Sequence, residues 1–221
     1  MQHKVSEIAY IACYKSANLY WIKTPKLIQQ LFPSLTWRIK TREKQVFITF
    51  DDGPIPEITP WILDQLDKHE AKATFFCVGH NVDKHKSIYK LIIEKGHAVG
   101  NHTYHHKSAW SNSYEEYKSD ILLASKKIKS RLFRPPYGKL PPARWKQLND
   151  DYDIIMWDVL SGDFDNSVSS QKCIDNVIKN ISPGAIIVFH DNIKSIPKLK
   201  IALPRILTDI KELGYEMLAL K

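Results

Sequence analysis

Seven apolar runs separated by stretches of helical periodicity constrain the fold of this chain more than any other feature. The runs lie at 46–50, 73–78, 97–101, 132–138, 153–159, 185–191 and 215–220. Between them, helical patterns cover 58–68, 87–95, 114–129, 143–148, 173–181 and 199–213. Gly96 closes the second of these, and Tyr117, Ile121, Ala124 and Ile128 mark one face of the third. Strands that alternate with helices pair in parallel, because a parallel neighbour needs a crossover that a helix can supply. The expectation is a single-domain α/β fold on a parallel sheet or barrel. With 221 residues, 43% of them apolar, and no Ser/Gly/Pro-rich linker, one core accounts for the length.

The unusual polar residues fall where these runs end. Asp51 and Asp52 close the first, before Gly53-Pro54 turns the chain, and His102 follows the third. Arg134 stands where the fourth enters its Pro-rich turn, and the segment from Asp158 to Asp163 and His190-Asp191 close later ones. In parallel α/β folds the C-terminal edge of the strands is where sites assemble. Two neighbouring carboxylates at such an edge repel each other and resist burial, so a positive group is expected between them.

His102 and His106 are four residues apart, so on a helical turn both imidazoles project from one face and can grip one cation. His105 stands three from His102 and remains a competing ligand. A lone H-x-x-x-H is more often a pair of surface histidines, and the metalloprotease version needs a Glu where Thr103 stands. The Asp pair changes the balance by offering one carboxylate to bind and one to accept a proton. The donor set suits Zn²⁺, with Co²⁺, Mn²⁺ or Ni²⁺ as alternatives, acting as a Lewis acid.

Composition bears mainly on partners. The net charge of +8 is spread along the chain without an Arg-rich, aromatic-interleaved run, so no nucleic-acid partner is expected. Cys13, Cys77 and Cys173 are odd in number and far apart, which argues for reduced thiols. The segment IAYIAC (8–13) is a poor export signal, and its neighbourhood (Ile8, Ile11, Leu19, Trp21, Ile22) is expected to pack on the domain; peripheral membrane contact is the alternative. The expectation is a monomer in the cytoplasm or at the cytoplasmic face of the membrane. His69, His80, His85 and His97 are expected to be solvated, and Asp158 and Asp165 structural.

TFDDGP (49–54), HTYHH (102–106), RPPYG (134–138), WDVLSGDF (157–164) and IVFHD (187–191) resemble, in this order, the five motifs of the polysaccharide deacetylase family, also called NodB-homology or carbohydrate esterase family 4. The likeness covers about 45–220. It implies a deformed (β/α)7 barrel of the NodB-homology type, with 41–221 as the catalytic domain and 1–40 as an N-terminal extension packing on it. It further implies Asp52, His102 and His106 as metal ligands, Asp51 as base, Arg134 as its tether, and Thr103 as a steadying hydroxyl of the ligand loop. The backbone N–H of Tyr137 resembles the oxyanion donor, His190 the general acid, and Asp163 the carboxylate that orients it. Trp157, Val188 and Phe164 fall where the substrate pocket is walled; Phe164 replaces a usual Trp and Val188 a common Leu, which puts substrate preference in question.

The implied activity is metal-dependent removal of N-acetyl groups from an N-acetylhexosamine-containing glycan or glycolipid, lipid-linked sugars included. Amide hydrolysis needs a nucleophilic water, a polarised carbonyl and a protonated leaving amine, which a divalent ion, Asp51 and His190 can provide. O-deacetylation, hydrolysis of another small amide, and a glycan-binding module without activity are the alternatives.

Overall fold

The computed structural model describes residues 20–221. The expectations for Ile8, Ile11, Cys13 and Leu19 lie outside the described residues. Trp21 is exposed, whereas Ile22 is half-buried and its carbonyl accepts from Leu160 N–H at 2.8 Å.

The first apolar run forms β1 (Gln45–Asp51), with Val46, Ile48 and Phe50 turned to one face and Phe47, Thr49 and Asp51 to the other. It is flanked by β2 (Thr74–Cys77) and β7 (Ile186–His190), and its first residues pair β8 (Glu216–Leu218). Beyond β2 come β3 (Ala98–Asn101), β4 (Leu132–Phe133) and β5 (Asp153–Ile154); beyond β7 comes β6 (Val159–Leu160). Every ladder is parallel, and the eight short strands make one curled, half-barrel sheet.

Among the described residues the α-helices in chain order are α1 (Lys26–Leu31), α2 (Thr59–Lys68), α3 (Gly79–Lys84), α4 (Lys86–Glu94), α5 (Tyr114–Ser125), α6 (Pro142–Leu148), α7 (Ser170–Ile178) and α8 (Ile196–Glu212). The largest apolar cluster joins the outer face of β1, β2 and β7 to Ile62, Leu63 and Leu66 of α2 and to Leu203, Ile206 and Ile210 of α8. Each such fully buried side chain contributes about 1.5–3 kcal/mol. A second cluster, with Phe47, Phe76, Leu132, Ile155, Ile186 and Leu220, fills the concave side.

One expected strand is divided. The run 153–159 does not continue as a unit: β5 pairs β4 and β6 pairs β7, at opposite ends of the sheet. Residues 22–38 bridge the two ends. Thr36 exchanges backbone bonds with Ile154 and Met156 (2.9 and 2.8 Å), and Thr24 N–H reaches Asp158 O at 2.9 Å. The run reads as continuous because its apolar residues are buried throughout, leaving no alternation to reveal a break. Asp158, fully buried at the break, is neutralised by Lys23 Nζ (2.6 Å) and hydrogen-bonded by Gln29 Nε2 (3.0 Å).

His97 is not solvated. It is 6% exposed, packs against Phe75, and accepts from Ala73 N–H through Nδ1, while Nε2 has no partner among the described residues. Burial lowers its pKa from 6.5 to about 4, the nearby Lys72 adding to the effect. A histidine held neutral in the fold supports stability above its unfolded pKa and withdraws that support as pH falls through the folded value. Acidification from 6.5 to about 4 should therefore cost about 3 kcal/mol through this residue. His97→Phe should flatten the profile in that interval, as read by urea unfolding at a series of pH values.

Candidate metal centre and its catalytic surroundings

Asp51 and Arg134 meet at the ends of β1 and β4. The Arg134 side chain is fully buried and bonded through all three of its nitrogens: Nη1 donates to Asp51 Oδ1 and Thr49 Oγ1, both at 2.7 Å. Nη2 reaches Met156 O at 3.0 Å and Nε reaches Ile155 O at 3.2 Å. The guanidinium lies 4.1 Å over the Phe76 ring. A buried cation survives only when its donors and its charge are matched in this way.

Strand alternation alone would send Asp52 away from the face that carries Asp51. The backbone prevents it, because Asp52 has φ 85° and swings its carboxylate to the same side. Its Oδ1 lies 3.1 Å from His106 Nε2 and 3.6 Å from His102 Nε2. Asn81 Nδ2 donates to its carbonyl at 2.8 Å, and Asn192 Nδ2 donates to its Oδ2 at 2.7 Å. Asp191 accepts from Gly53 N–H at 2.9 Å and Thr59 Oγ1 at 2.6 Å, so it anchors the turn after Asp52. Asn192 caps the short helix that follows, its Oδ1 accepting Ser195 N–H at 3.0 Å.

His102 and His106 converge without a helical turn. Thr103 and His106 both have positive φ (63° and 56°), so the loop doubles back between them. Asn101 Oδ1 takes Thr103 N–H at 2.8 Å, and Thr103 Oγ1 takes Lys107 N–H at 3.1 Å. Asp120 on α5 accepts from the backbone N–H groups of Tyr104 and His105 at 3.0 and 2.9 Å. It also holds His105 Nδ1 at 2.6 Å. His105 is thereby turned from the site, and the cluster of possible ligands among the described residues is Asp52, His102 and His106.

The opposite wall is built on β7. His190 is the register partner of Asp51 across the β1–β7 ladder, so the two stand on adjacent strands. Asp163 grips it twice, accepting the His190 backbone N–H at 2.7 Å and meeting Nδ1 at 2.8 Å. Phe164 packs edge-on against the His190 ring at 5.1 Å. Tyr137 (φ 62°) is exposed and sets its ring 4.7 Å from that of His106. A Cβ on Gly138 would fall 2.3 Å from the Trp157 ring, so that turn rests on the indole. Val188, two residues before His190, is buried on the same side of β7.

The electrostatics follow from this packing. Burial lowers the His102 pKa to about 4, against the pull of Asp51, and its Nδ1 lies 2.7 Å from Arg134 O. The ring is therefore neutral at pH 7, with Nε2 free to donate a lone pair. Burial opposes the ionised Asp52 carboxylate, but the His106 hydrogen bond and the fields of His190, His102 and His106 overcome it and hold the group well below the usual range. For His190, burial is outweighed by the charge and hydrogen bond of Asp163, which lift it to about 9.

The three donors fit a divalent cation. Tetrahedral ligands about 2.0–2.2 Å from an ion stand about 3.3–3.6 Å apart, close to the Asp52–histidine separations of 3.1 and 3.6 Å. A neutral imidazole fixed through Nδ1 by a carbonyl is the usual form of a ligating histidine.

The polysaccharide deacetylase family model matches residues 38–152. The chain belongs to the polysaccharide deacetylase family. It is 34% identical to a peptidoglycan-N-acetylglucosamine deacetylase of Bacillus cereus over 82% of this chain and 88% of the relative. It is 32% identical to the peptidoglycan-N-acetylglucosamine deacetylase PgdA of Listeria monocytogenes over 80% of this chain, though it spans only 38% of that protein. The fold superposes on the crystal structure of a peptidoglycan N-acetylglucosamine deacetylase with TM-score 0.80, at 31% identity, covering 85% of this chain and 91% of that one. It also superposes, at TM-score 0.73 and 28% identity over 83% of this chain and 66% of that one, on a pseudoenzyme of carbohydrate esterase family 4 from Bacillus anthracis.

Several supporting residues were not singled out from the sequence. Asn81, Asn101 and Asp120 carry no local signal, because their role lies in bonds to distant backbone. Asn192 was legible in part, standing two residues after His190 at a strand end.

The Arg134–Asp51 pair allows a direct test. Arg134→Met should cost about 3–5 kcal/mol, since it strands a buried carboxylate, and adding Asp51→Asn should recover part of the loss. Denaturant unfolding of the single and double variants checks this, and a double variant no more stable than Arg134→Met would contradict it.

Proposed function

We propose that this protein is a metal-dependent N-deacetylase of an N-acetylated glycan. The N-acetylglucosamine of peptidoglycan, named for its relatives, is the first substrate to test. One observation carries the reading: the Asp52–His102–His106 donor set shares one edge of the sheet with Asp51, tethered by Arg134, and with His190, held by Asp163 and paired with Asp51 across the β1–β7 ladder. Membership alone would not suffice, because the family includes a structurally similar pseudoenzyme. The completeness of these groups supports an enzyme over a binding module.

A divalent cation held by Asp52, His102 and His106 supplies Lewis acidity, making a water easier to deprotonate and an acetyl carbonyl more electrophilic. Asp51 takes the proton of the attacking water, with Arg134 fixing its carboxylate. The Tyr137 backbone N–H offers a donor to the oxygen that gains charge as the carbonyl carbon becomes tetrahedral. His190, cationic at neutral pH, gives its proton to the departing amide nitrogen, and Asp163 keeps the ring oriented. Trp157, Val188 and Phe164 line the acetyl side.

Acetate release from N-acetylglucosamine oligomers and peptidoglycan should stop with a chelator and return with Zn²⁺ or Co²⁺. Asp51→Asn should keep the ion while kcat falls by about 10²–10⁴, whereas Asp52→Asn should weaken the ion itself. Metal stoichiometry measured beside kcat decides, and loss of the ion from Asp51→Asn with retention in Asp52→Asn would reverse the two roles.

The acid has its own signature. With His190 cationic up to about pH 9, kcat on an amide should fall as pH rises through that value. Asp163→Asn removes the principal support of the charged ring and should move this alkaline limb to lower pH. An unmoved limb would assign it to another group.

A further inference from the structure

The loop that carries Asp163 is held from outside the motif region by Tyr20. The Tyr20 hydroxyl donates to Asp165 Oδ2 at 2.7 Å and lies 3.5 Å from where a Cβ on Gly162 would stand. It thus touches both flanks of the Asp163-Phe164 turn. The other Asp165 oxygen is taken by Ser167, through N–H at 2.8 Å and Oγ at 2.7 Å. The Tyr20 ring packs on Phe164 at 5.1 Å, and Phe164 in turn meets the His190 ring at the same distance. Lys198 Nζ holds the loop from α8 through Asp163 O at 3.1 Å. Ile22, two residues on, is bonded to the backbone of β6, so Tyr20 reaches the loop from a fixed point.

We propose that Tyr20 is a positioning residue for the acid. Its ring and hydroxyl set the Asp163-Phe164 turn, and through that turn they set the direction in which His190 presents Nε2. The proposal rests on His190 acting as the acid. Phe164 is only half-buried and belongs to a turn with no helix or strand of its own. Without Tyr20, the turn loses the aromatic contact behind Phe164 and the hydroxyl bond to Asp165. A proton donor displaced by a fraction of an ångström loses much of its benefit, while Asp51, the Asp52–His102–His106 set and the Tyr137 N–H are carried by other elements that Tyr20 does not hold.

The test compares His190→Ala, Tyr20→Ala and Tyr20→Phe on an N-acetylglucosamine oligomer and on an activated nitrophenyl acetate, with kcat and KM separated. An ester with a good leaving group needs little protonation, so His190→Ala should lose more on the amide than on the ester. Tyr20→Ala should show the same asymmetry on a smaller scale, with about a tenfold loss of amide kcat, little change in KM and little change on the ester. Tyr20→Phe keeps the ring and the packing, so it should fold normally and show an intermediate loss that reports the hydroxyl bond alone. Equal losses on both substrates for Tyr20→Ala, or no loss in either Tyr20 variant, would overturn the positioning role while leaving the acid intact. If His190→Ala itself shows no asymmetry, the acid assignment fails and the Tyr20 inference fails with it.

Discussion

The buried Arg134–Asp51 contact organises the site. A guanidinium with no exposure demands an anion and several acceptors. They come from three strand regions: Asp51 and Thr49 on β1, Ile155 and Met156 after β5, and the Phe76 face from β2. One residue therefore links the middle of the sheet to its β5 edge. Its own carbonyl meets His102 Nδ1, so the pair that holds one carboxylate also orients the imidazole beside the other. The desolvation that makes this arrangement costly also leaves Asp51 little freedom to move, which suits the proton-acceptor role proposed for it.

Much of the fold is legible in the sequence because parallel sheets buried on both faces produce near-continuous apolar runs, and helices betray themselves by period. The same property hides where a buried run stops. Residues 153–159 look like one strand and serve two edges, because nothing in Ile154, Ile155 and Met156 distinguishes burial in a ladder from burial beside one. The site residues are legible for a different reason: Asp, His and Arg at the ends of apolar runs conflict with burial unless they meet. How they meet is not. The spacing of His102 and His106 suits a helical turn, yet the loop reaches the same convergence through two left-handed residues and Asp120, which lies on a separate helix.

The segment before β1 shows a related limit. Residues 20–37 precede the span matched by the family model, and their apolar residues suggest packing on the domain without saying against which part of it. In the fold they bond to both ends of the open sheet and bring Lys23 and Gln29 to the buried Asp158. A half-barrel with two exposed edges would invite pairing with another chain. The segment covers both edges and fills the need of a carboxylate that the break between β5 and β6 leaves buried.

Backbone strain in this protein has a location. Among the described residues, five non-glycine positions have positive φ, and four of them, Asp52, Thr103, His106 and Tyr137, belong to the site. Each such conformation costs on the order of 1–3 kcal/mol and persists only where the surroundings over-determine it. Asp52 is held by Asn81 and Asn192, and the His102–His106 loop by Asn101 and Asp120. The Tyr137 turn rests on Trp157 through Gly138. Regular strands can deliver residues to the edge of a sheet, but their alternation separates neighbours such as Asp51 and Asp52. Bringing neighbours to one point requires leaving the strand geometry at once, and the polar anchors from other elements are what make that departure stable.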